Sequence, residues 1–349
     1  MSVVPIDGIS RLNTLIDGAG RIAVVTHTHP DGDALGSTTA LLHYLRINRG
    51  KDASVIVPDA YSSTLDFIVD HEFTLVAETD PKAARRLIGE ADLIFCLDLN
   101  SLDRAASAGP SVRASRAPKV LVDHHLYPAL PDFDLVFSET EISSASELLY
   151  HVLLAMPDVD SVESLPVPCL KALMTGMTTD TNNFANSVFP STLTMASSLL
   201  AAGVDRDDII ANLYNKYGEN RFRAMGAVLS DLLHITEDGV AYFIMDKAFL
   251  GKYALAEGDT ESFVNLPLGI DRVKMSVFLK EDNGYFRVSV RSKKGWSANR
   301  LATGHFNGGG HECAAGGRLY FPKDIAVPAD AAEYIETVTA RFMRNESPV

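Results

Sequence analysis

Ile22-Ala23-Val24-Val25-Thr26-His27-Thr28-His29-Pro30-Asp31-Gly32-Asp33 runs from four apolar residues into two imidazoles and two carboxylates. The apolar run is short and unbroken, which reads as a buried strand. From Ala34 to Arg46 the chain reads as a helix, so the polar residues fall at the carboxyl end of a strand, where open α/β sheets bind their ligands. Carboxylate and imidazole without thiolate suit a hard to borderline divalent ion such as Mn, Mg, Fe or Zn. Residues on an extended strand alternate faces, so convergence of His27, Asp31 and Asp33 needs the turn that Pro30 and Gly32 favour. The same residues also suit a surface loop in which Asp33 caps the helix.

The pattern recurs downstream. Leu93-Ile94-Phe95-Cys96-Leu97 reads as a central strand that ends at Asp98, and Lys119-Val120-Leu121-Val122 runs straight into Asp123-His124-His125. Ser54 to Val57 and Phe73 to Ala77 read as further strands, with Pro81 to Gly89 as a helix. Strands separated by helical segments imply right-handed crossovers and a mainly parallel sheet, so the strand ends at His27, Asp98 and Asp123 can share one edge. Ser143 to Met156 is helical. Cys169 to Thr179 is a second, largely apolar helix that reaches Asp180. A carboxylate following Leu170, Ala172, Leu173, Met174 and Met177 is expected to be nearly buried, and buried charge needs a partner or a metal.

At 349 residues the chain exceeds one ordinary core, which predicts two domains. Hydrophobic content of 46% and charged content of 22% describe a globular protein. The net charge of -14 argues against a protein that tracks long nucleic acid, whose affinity draws on many Lys and Arg contacts to phosphate. An anionic substrate should therefore be short. Cys96, Cys169 and Cys313 show no CxxC spacing and read as buried small residues in a reducing cytosol. No signal-peptide core and no apolar run near the ~20 residues of a membrane span is present, so the expected location is the cytoplasm, without membrane contact.

Helical segments near Thr192 to Ala202, Asp207 to Tyr217 and Asn220 to Leu233 lead into strands at Ala241 to Met245, Val273 to Leu279 and Tyr285 to Ser292, the last with Arg291 near its end. The expected fold is α/β: a mainly parallel Rossmann-like sheet flanked by helices over residues 1–205, a helical connector over 206–224, and a smaller α/β domain over 225–345. In that second domain Gly308-Gly309-Gly310-His311 lets backbone amides approach a bound anion or base, although a glycine run equally suits a flexible loop.

These motifs together resemble the DHH family of phosphoesterases, named for the triplet present here as Asp123-His124-His125, with the family's associated C-terminal domain. The stretch from His27 to Asp33, followed by Ala34-Leu35-Gly36-Ser37, is similar to the first motif of the subgroup of bacterial oligoribonucleases that also dephosphorylate phosphoadenosine phosphate. Asp98-Leu99-Asn100, the triplet and Asp180 resemble the next three motifs. Phe306-Asn307-Gly308-Gly309-Gly310-His311 with Ala314-Ala315-Gly316-Gly317 resembles the signature of the C-terminal domain.

The resemblance implies two Mn ions, with His27 and Asp31 on one, Asp33, His124 and Asp180 on the other, and Asp98 bridging. Asp123 would lie behind the ligands and orient a neighbouring imidazole. Asp31, Asp33, Asp98 and Asp180 would balance the charge of two divalent ions. Ions about 3.5 to 4 Å apart can activate a shared water for phosphodiester hydrolysis. Asp98 and His125 are the implied catalytic groups, His125 contacting the scissile phosphate or protonating the leaving oxygen. Arg291, Gly309, Gly310 and His311 are the implied substrate contacts. Arg104 is a further phosphate candidate that reads first as a helix surface charge.

The implied reaction is hydrolysis of short oligoribonucleotides to mononucleotides and of 3'-phosphoadenosine 5'-phosphate to AMP. A cyclic di-AMP or linear dinucleotide phosphodiesterase, and a nucleotide-sensing binding module, stand as alternatives. The implied partners are short RNA or nucleotides, with no long nucleic acid and no membrane, and a homodimer is left open.

Overall fold

The computed structural model describes residues 5–256 and 258–345, and the chain divides into two compact units, Met1–Lys216 and Tyr217–Val349. The first unit runs α1 (Ile6–Gly18), β1 (Arg21–Val25), α2 (Gly32–His43), β2 (Asp52–Val57), β3 (Thr74–Val76), α3 (Pro81–Glu90), β4 (Leu93–Leu97), α4 (Gly109–Ala114), β5 (Lys119–Asp123) and β6 (Leu135–Ser138). Four helices follow: α5 (Ala145–Leu154), α6 (Val167–Asp180), α7 (Pro190–Ala201) and α8 (Arg206–Tyr214). All six strands are parallel, in the order β3-β2-β1-β4-β5-β6.

Successive strands step outward on one side of β1 and then on the other, so the order reverses between β1 and β4. The crevice at such a switch point, beyond the carboxyl ends of the strands, is where open α/β sheets bind ligands. His27 follows β1 and Asp98 follows β4, so both lie at that reversal. The strands are continuously apolar because both faces of the sheet are covered. Val24, Phe95, Leu97 and Val122 pack into one core, and Ala23, Val25, Ile94, Cys96 and Leu121 into another. Cys96 and Cys169 are buried as expected, whereas Cys313 is only half-buried.

Helices α2 and α6 cross at Gly36 and Gly176. A Cβ on Gly36 would lie 2.7 Å from the Ala172 carbonyl, and one on Gly176 would lie 2.8 Å from Asp33 Oδ1 and collide with Ser146. The two backbones therefore touch, and that main-chain contact sets the positions of Asp33 at the start of α2 and Asp180 at the end of α6.

The second unit contains α9 (Glu219–Ala227), β7 (His234–Ile235), β8 (Val240–Met245), α10 (Lys247–Lys252), β9 (Met275–Glu281), β10 (Tyr285–Ser292), α11 (Ala298–His305), β11 (Gly309–Gly310), β12 (Ala314–Tyr320) and α12 (Ala331–Asn345). Its sheet has the order β11-β12-β10-β9-β8-β7, with β8 and β9 parallel and the other neighbours antiparallel. Val277, Leu279, Val288 and Val290 face Leu301 of α11 and Ile335 of α12 in its core. The glycine run is not a flexible loop: Gly309 and Gly310 pair with Gly316 and Ala315 as an edge strand. Gly310 has φ 145°, and a Cβ there would lie 2.6 Å from the Ala314 carbonyl, so this pairing requires glycine. Among the described residues no helix is long and apolar enough to cross a membrane.

Candidate metal centre

The loop after β1 turns through His29, whose φ is 52°, and ends on Asp31. Asp31, not Asp33, is the N-cap of α2: its carboxylate accepts from the amides of Asp33 and Ala34 at 3.0 and 3.1 Å. Asp33 is instead buried against the start of α5, accepting from the amides of Ala145 and Ser146 at 2.7 and 2.9 Å. Those amides lack partners within the helix, and a helix N-terminus favours negative charge. Each Asp33 oxygen keeps a further lone pair for a cation. The Nδ1–H of His27 donates to the Thr28 carbonyl at 2.8 Å, which aims Nε2 at Asp98 Oδ2, 3.3 Å away, and Asp31 Oδ1, 4.0 Å away.

Asp98 ends the central strand with φ 58°, a left-handed conformation uncommon outside glycine, which Asp reaches more readily than most side chains and which clusters at functional sites. It is buried, and its second oxygen, Oδ1, makes no hydrogen bond among the described residues. That oxygen lies 3.5 Å from His124 Nε2, which also stands 3.5 Å from Asp180 Oδ2 and 3.8 Å from Asp33 Oδ2. Two donor sets result, His27 with Asp31 and Asp98, and Asp33 with His124 and Asp180, the donor atoms of each set lying within 4.8 Å of one another. Asp98 belongs to the first set and turns its other oxygen to the second. Asp180 is less buried than its apolar helix suggests, its side chain 26% exposed at the end of α6.

A third set, Asp98, Asp123 and His125, converges equally closely. Here, however, His125 Nδ1 is already held by Asp123 Oδ1 at 2.8 Å, and the His125 amide donates to Asp123 Oδ2 at 3.2 Å. Asp123 therefore orients His125, the neighbouring imidazole of the triplet.

The electrostatics fit a cation. Burial, and then the Asp98 and Asp180 charges, push the Asp33 carboxyl well above its ordinary range. Burial pulls His124 down, but Asp180, Asp98 and Asp33 outweigh it and lift the imidazole to about 10. Burial opposes ionisation of Asp98 as well, but His124 and His27 hold it well below the carboxylate range. His27 is raised, Asp98 outweighing burial. Without a cation the cluster thus gathers protons, on the Asp33 carboxyl and on the His124 and His27 imidazoles, while Asp98 keeps its charge. A hard or borderline divalent ion can replace those protons, and the orphaned Asp98 oxygen is a donor waiting for one. His125 goes the other way: burial lowers it, Asp123 raises it less, and Arg104 lowers it further.

Arg104 reads in the sequence as a surface charge, but it sits on the turn Leu102–Ala105, half-buried, with its carbonyl accepting the Thr28 amide at 2.8 Å. It makes no ion pair among the described residues, and its charge reaches both His27 and His125.

Sequence reasoning missed Glu147. Ser144 caps α5, accepting from the Glu147 amide at 3.0 Å, and Glu147 turns back to accept from the Ser143 amide at 3.0 Å, from the Ser143 hydroxyl, and from Thr192 Oγ1 at 2.7 Å. The Ser-x-x-Glu spacing was the available signal. This network fixes the helix start that holds Asp33. Burial pushes the Glu147 carboxyl up, but His151 at 3.8 Å and the hydroxyl donors outweigh it and hold the group at about 2. A depressed carboxyl stabilises the fold above its unfolded value and loses that contribution as pH falls toward 2. Glu147→Gln should therefore lower the urea midpoint at pH 7 and do so much less near pH 2.5. An equal gap at both values would show that the charge is not what stabilises this corner.

In the second unit Arg291 pairs with Ala314 of β12, and its guanidinium donates to the Val290 carbonyl at 3.0 Å. On the other side of β12, Gly310 pairs with Ala315, and the His311 amide donates to the Ala314 carbonyl at 2.7 Å. Arg291, Gly309, Gly310 and His311 thus gather around one end of β12.

Known proteins share this plan. Residues 21–177 match the model of the DHH family N-terminal domain, and residues 238–338 match the DHHA1 domain. The bifunctional oligoribonuclease and PAP phosphatase NrnA of Thermus thermophilus is 31% identical over 86% of this chain and 84% of its own. An exopolyphosphatase-related protein from Bacteroides fragilis is 35% identical and superposes with a TM-score of 0.89 over 99% of this chain and 98% of that one. RecJ from Thermus thermophilus, solved in complex with Mn2+, shares the fold at 14% identity and a TM-score of 0.56, over 99% of this chain and 56% of that one. The order of the two domain matches and the 31% identity across most of both lengths place this chain in the DHH family, with a DHHA1 domain following the DHH domain.

Proposed function

We propose that the chain is a metal-dependent phosphoesterase that hydrolyses short oligoribonucleotides to mononucleotides and 3'-phosphoadenosine 5'-phosphate to AMP. The observation that carries this is Asp98, whose two oxygens face two separate donor sets from the end of the central strand. His27, Asp31 and Asp98 would hold one divalent ion and Asp33, His124, Asp180 and Asp98 a second, Mn by preference; such a pair supplies an acidified water and neutralises phosphate charge.

The chain's own groups do the rest. Asp123 holds the His125 Nδ1 proton and fixes the ring, so Nε2 is the atom that meets the phosphate. Burial keeps the ring neutral, so Nε2 would first take up a proton released by the attacking water and then pass it to the leaving oxygen as the phosphorus–oxygen bond breaks, letting that oxygen depart as a neutral hydroxyl. Arg291, Gly309, Gly310 and His311 contact the substrate beyond the scissile phosphate. The cysteines form no disulfide, which suits a cytoplasmic enzyme.

A product time course with a trinucleotide, phosphoadenosine phosphate, cyclic di-AMP and a long single strand tests the reading. Hydrolysis of the first two, abolished by EDTA and restored by Mn, is expected. Comparable rates on the long strand would sink the short-substrate assignment, and binding without turnover would make the chain a nucleotide sensor. Charged hydrogen bonds to phosphate contribute about 1.5 to 3 kcal/mol, so Arg291→Ala should weaken dinucleotide use roughly ten- to a hundredfold at unchanged metal content. Bis-p-nitrophenyl phosphate, with no second phosphate to hold, should lose much less. Equal losses would mean that Arg291 acts on the scissile phosphate.

A further inference from the structure

Tyr127 stands two residues beyond His125 and is 85% exposed, the highest value for a large apolar side chain among the described residues. Its backbone is left-handed, with φ 58°, a conformation that Asn or Gly adopts more cheaply than Tyr. The loop is nonetheless braced on both sides. Asn100 Nδ2 donates to the Leu126 carbonyl at 2.8 Å, and the Ala129 amide donates to the Asn100 carbonyl at 2.7 Å. Asn100 lies two residues past Asp98, so the turn that positions the central carboxylate also fixes the backbone on either side of Tyr127. Among the described residues the phenol makes no hydrogen bond and the ring no aromatic or cationic contact. Nothing inside the fold compensates for the exposure or the conformation, as happens when a side chain is displayed for a ligand.

An aromatic ring held out from a fixed backbone beside a phosphoester site is suited to stacking on a nucleobase, whose π-face is available whatever the base. We propose that Tyr127 is the platform on which the base of the bound nucleotide stacks. This inference rests on the phosphoesterase reading and narrows it: the site selects base-bearing phosphoesters over base-free phosphate chains, with little preference among bases.

The test uses the full chain and three variants. Tyr127→Ala should raise KM for a dinucleotide roughly five- to a hundredfold, the range for loss of one stacked base, with a much smaller effect on kcat. Tyr127→Phe, which keeps the ring and drops the hydroxyl, should restore it. An abasic dinucleotide should lose far less than the normal one in the alanine variant. Tyr127→Trp adds a reporter to a chain with one other tryptophan, Trp296. Its emission in EDTA should be quenched by AMP and not by ribose 5-phosphate. Quenching without turnover would support the stack and remove the phosphoesterase reading. Equal KM losses on normal and abasic substrates, or no quenching together with unchanged alanine kinetics, would overturn the stack.

Discussion

Asp98→Asn is expected to give a folded protein that holds neither metal ion tightly and whose turnover falls by more than the roughly 10²- to 10⁴-fold that a lost general acid costs. Asparagine keeps the size of the side chain and tolerates the left-handed backbone at φ 58°, so the strand end should survive. What it removes is the charge and one oxygen. Oδ2 faces His27 at 3.3 Å and Oδ1 faces His124 at 3.5 Å, so the one carboxylate reaches both donor sets. Metal analysis of the purified variant is the direct measurement. Two tightly held ions with near-normal activity would show that Asp98 does not bridge.

His125→Ala is expected to do the opposite: metal content should remain at the wild-type level while turnover falls about 10²- to 10⁴-fold. Geometry motivates the split, because the ring's Nδ1 is committed to Asp123 at 2.8 Å and stands 3.6 Å from Asp98 Oδ1. Asp123→Asn should lose part of the same activity through a misoriented ring. A His125→Ala protein stripped of metal would instead make His125 a ligand of the third convergent set, with Asp98 and Asp123.

The strands that carry the site were legible because each is buried on both faces and so reads as an unbroken apolar run. A carboxylate directly after such a run has little reason to be there for packing, which is how Asp98 and Asp123 stood out. The N-cap was misread, since the sequence pointed to Asp33 and the cap of α2 is Asp31. The choice is made by Ala145 and Ser146, more than a hundred residues away, which claim Asp33 through main-chain amides that no side-chain pattern announces. Asp180 escaped burial because α6 stops on it and the chain turns away through Asn182, Asn183 and Phe184, all left-handed, which opens the helix end. The strand at Gly309 carries none of the β-branched residues that mark strands; it forms because β12 has a free edge to pair. α12 left a signal in Ile335, Val338 and Phe342, buried at helical spacing, that went unread beside the stronger motifs.

The glycine crossing of α2 and α6 leaves no room for a side chain, unlike the loop that carries Tyr127. A single methyl group at position 176 would enter the space of Ser146 and Asp33, so neither helix can drift a residue at a time without moving a carboxylate. The loop bearing Tyr127 is held through the carbonyl of Leu126 and the amide of Ala129, and places no demand on the side chain at 127 beyond a backbone that can turn left-handed. A substitution at 127 can therefore leave the helix crossing untouched, whereas any side chain at 176 presses on Ser146 and Asp33.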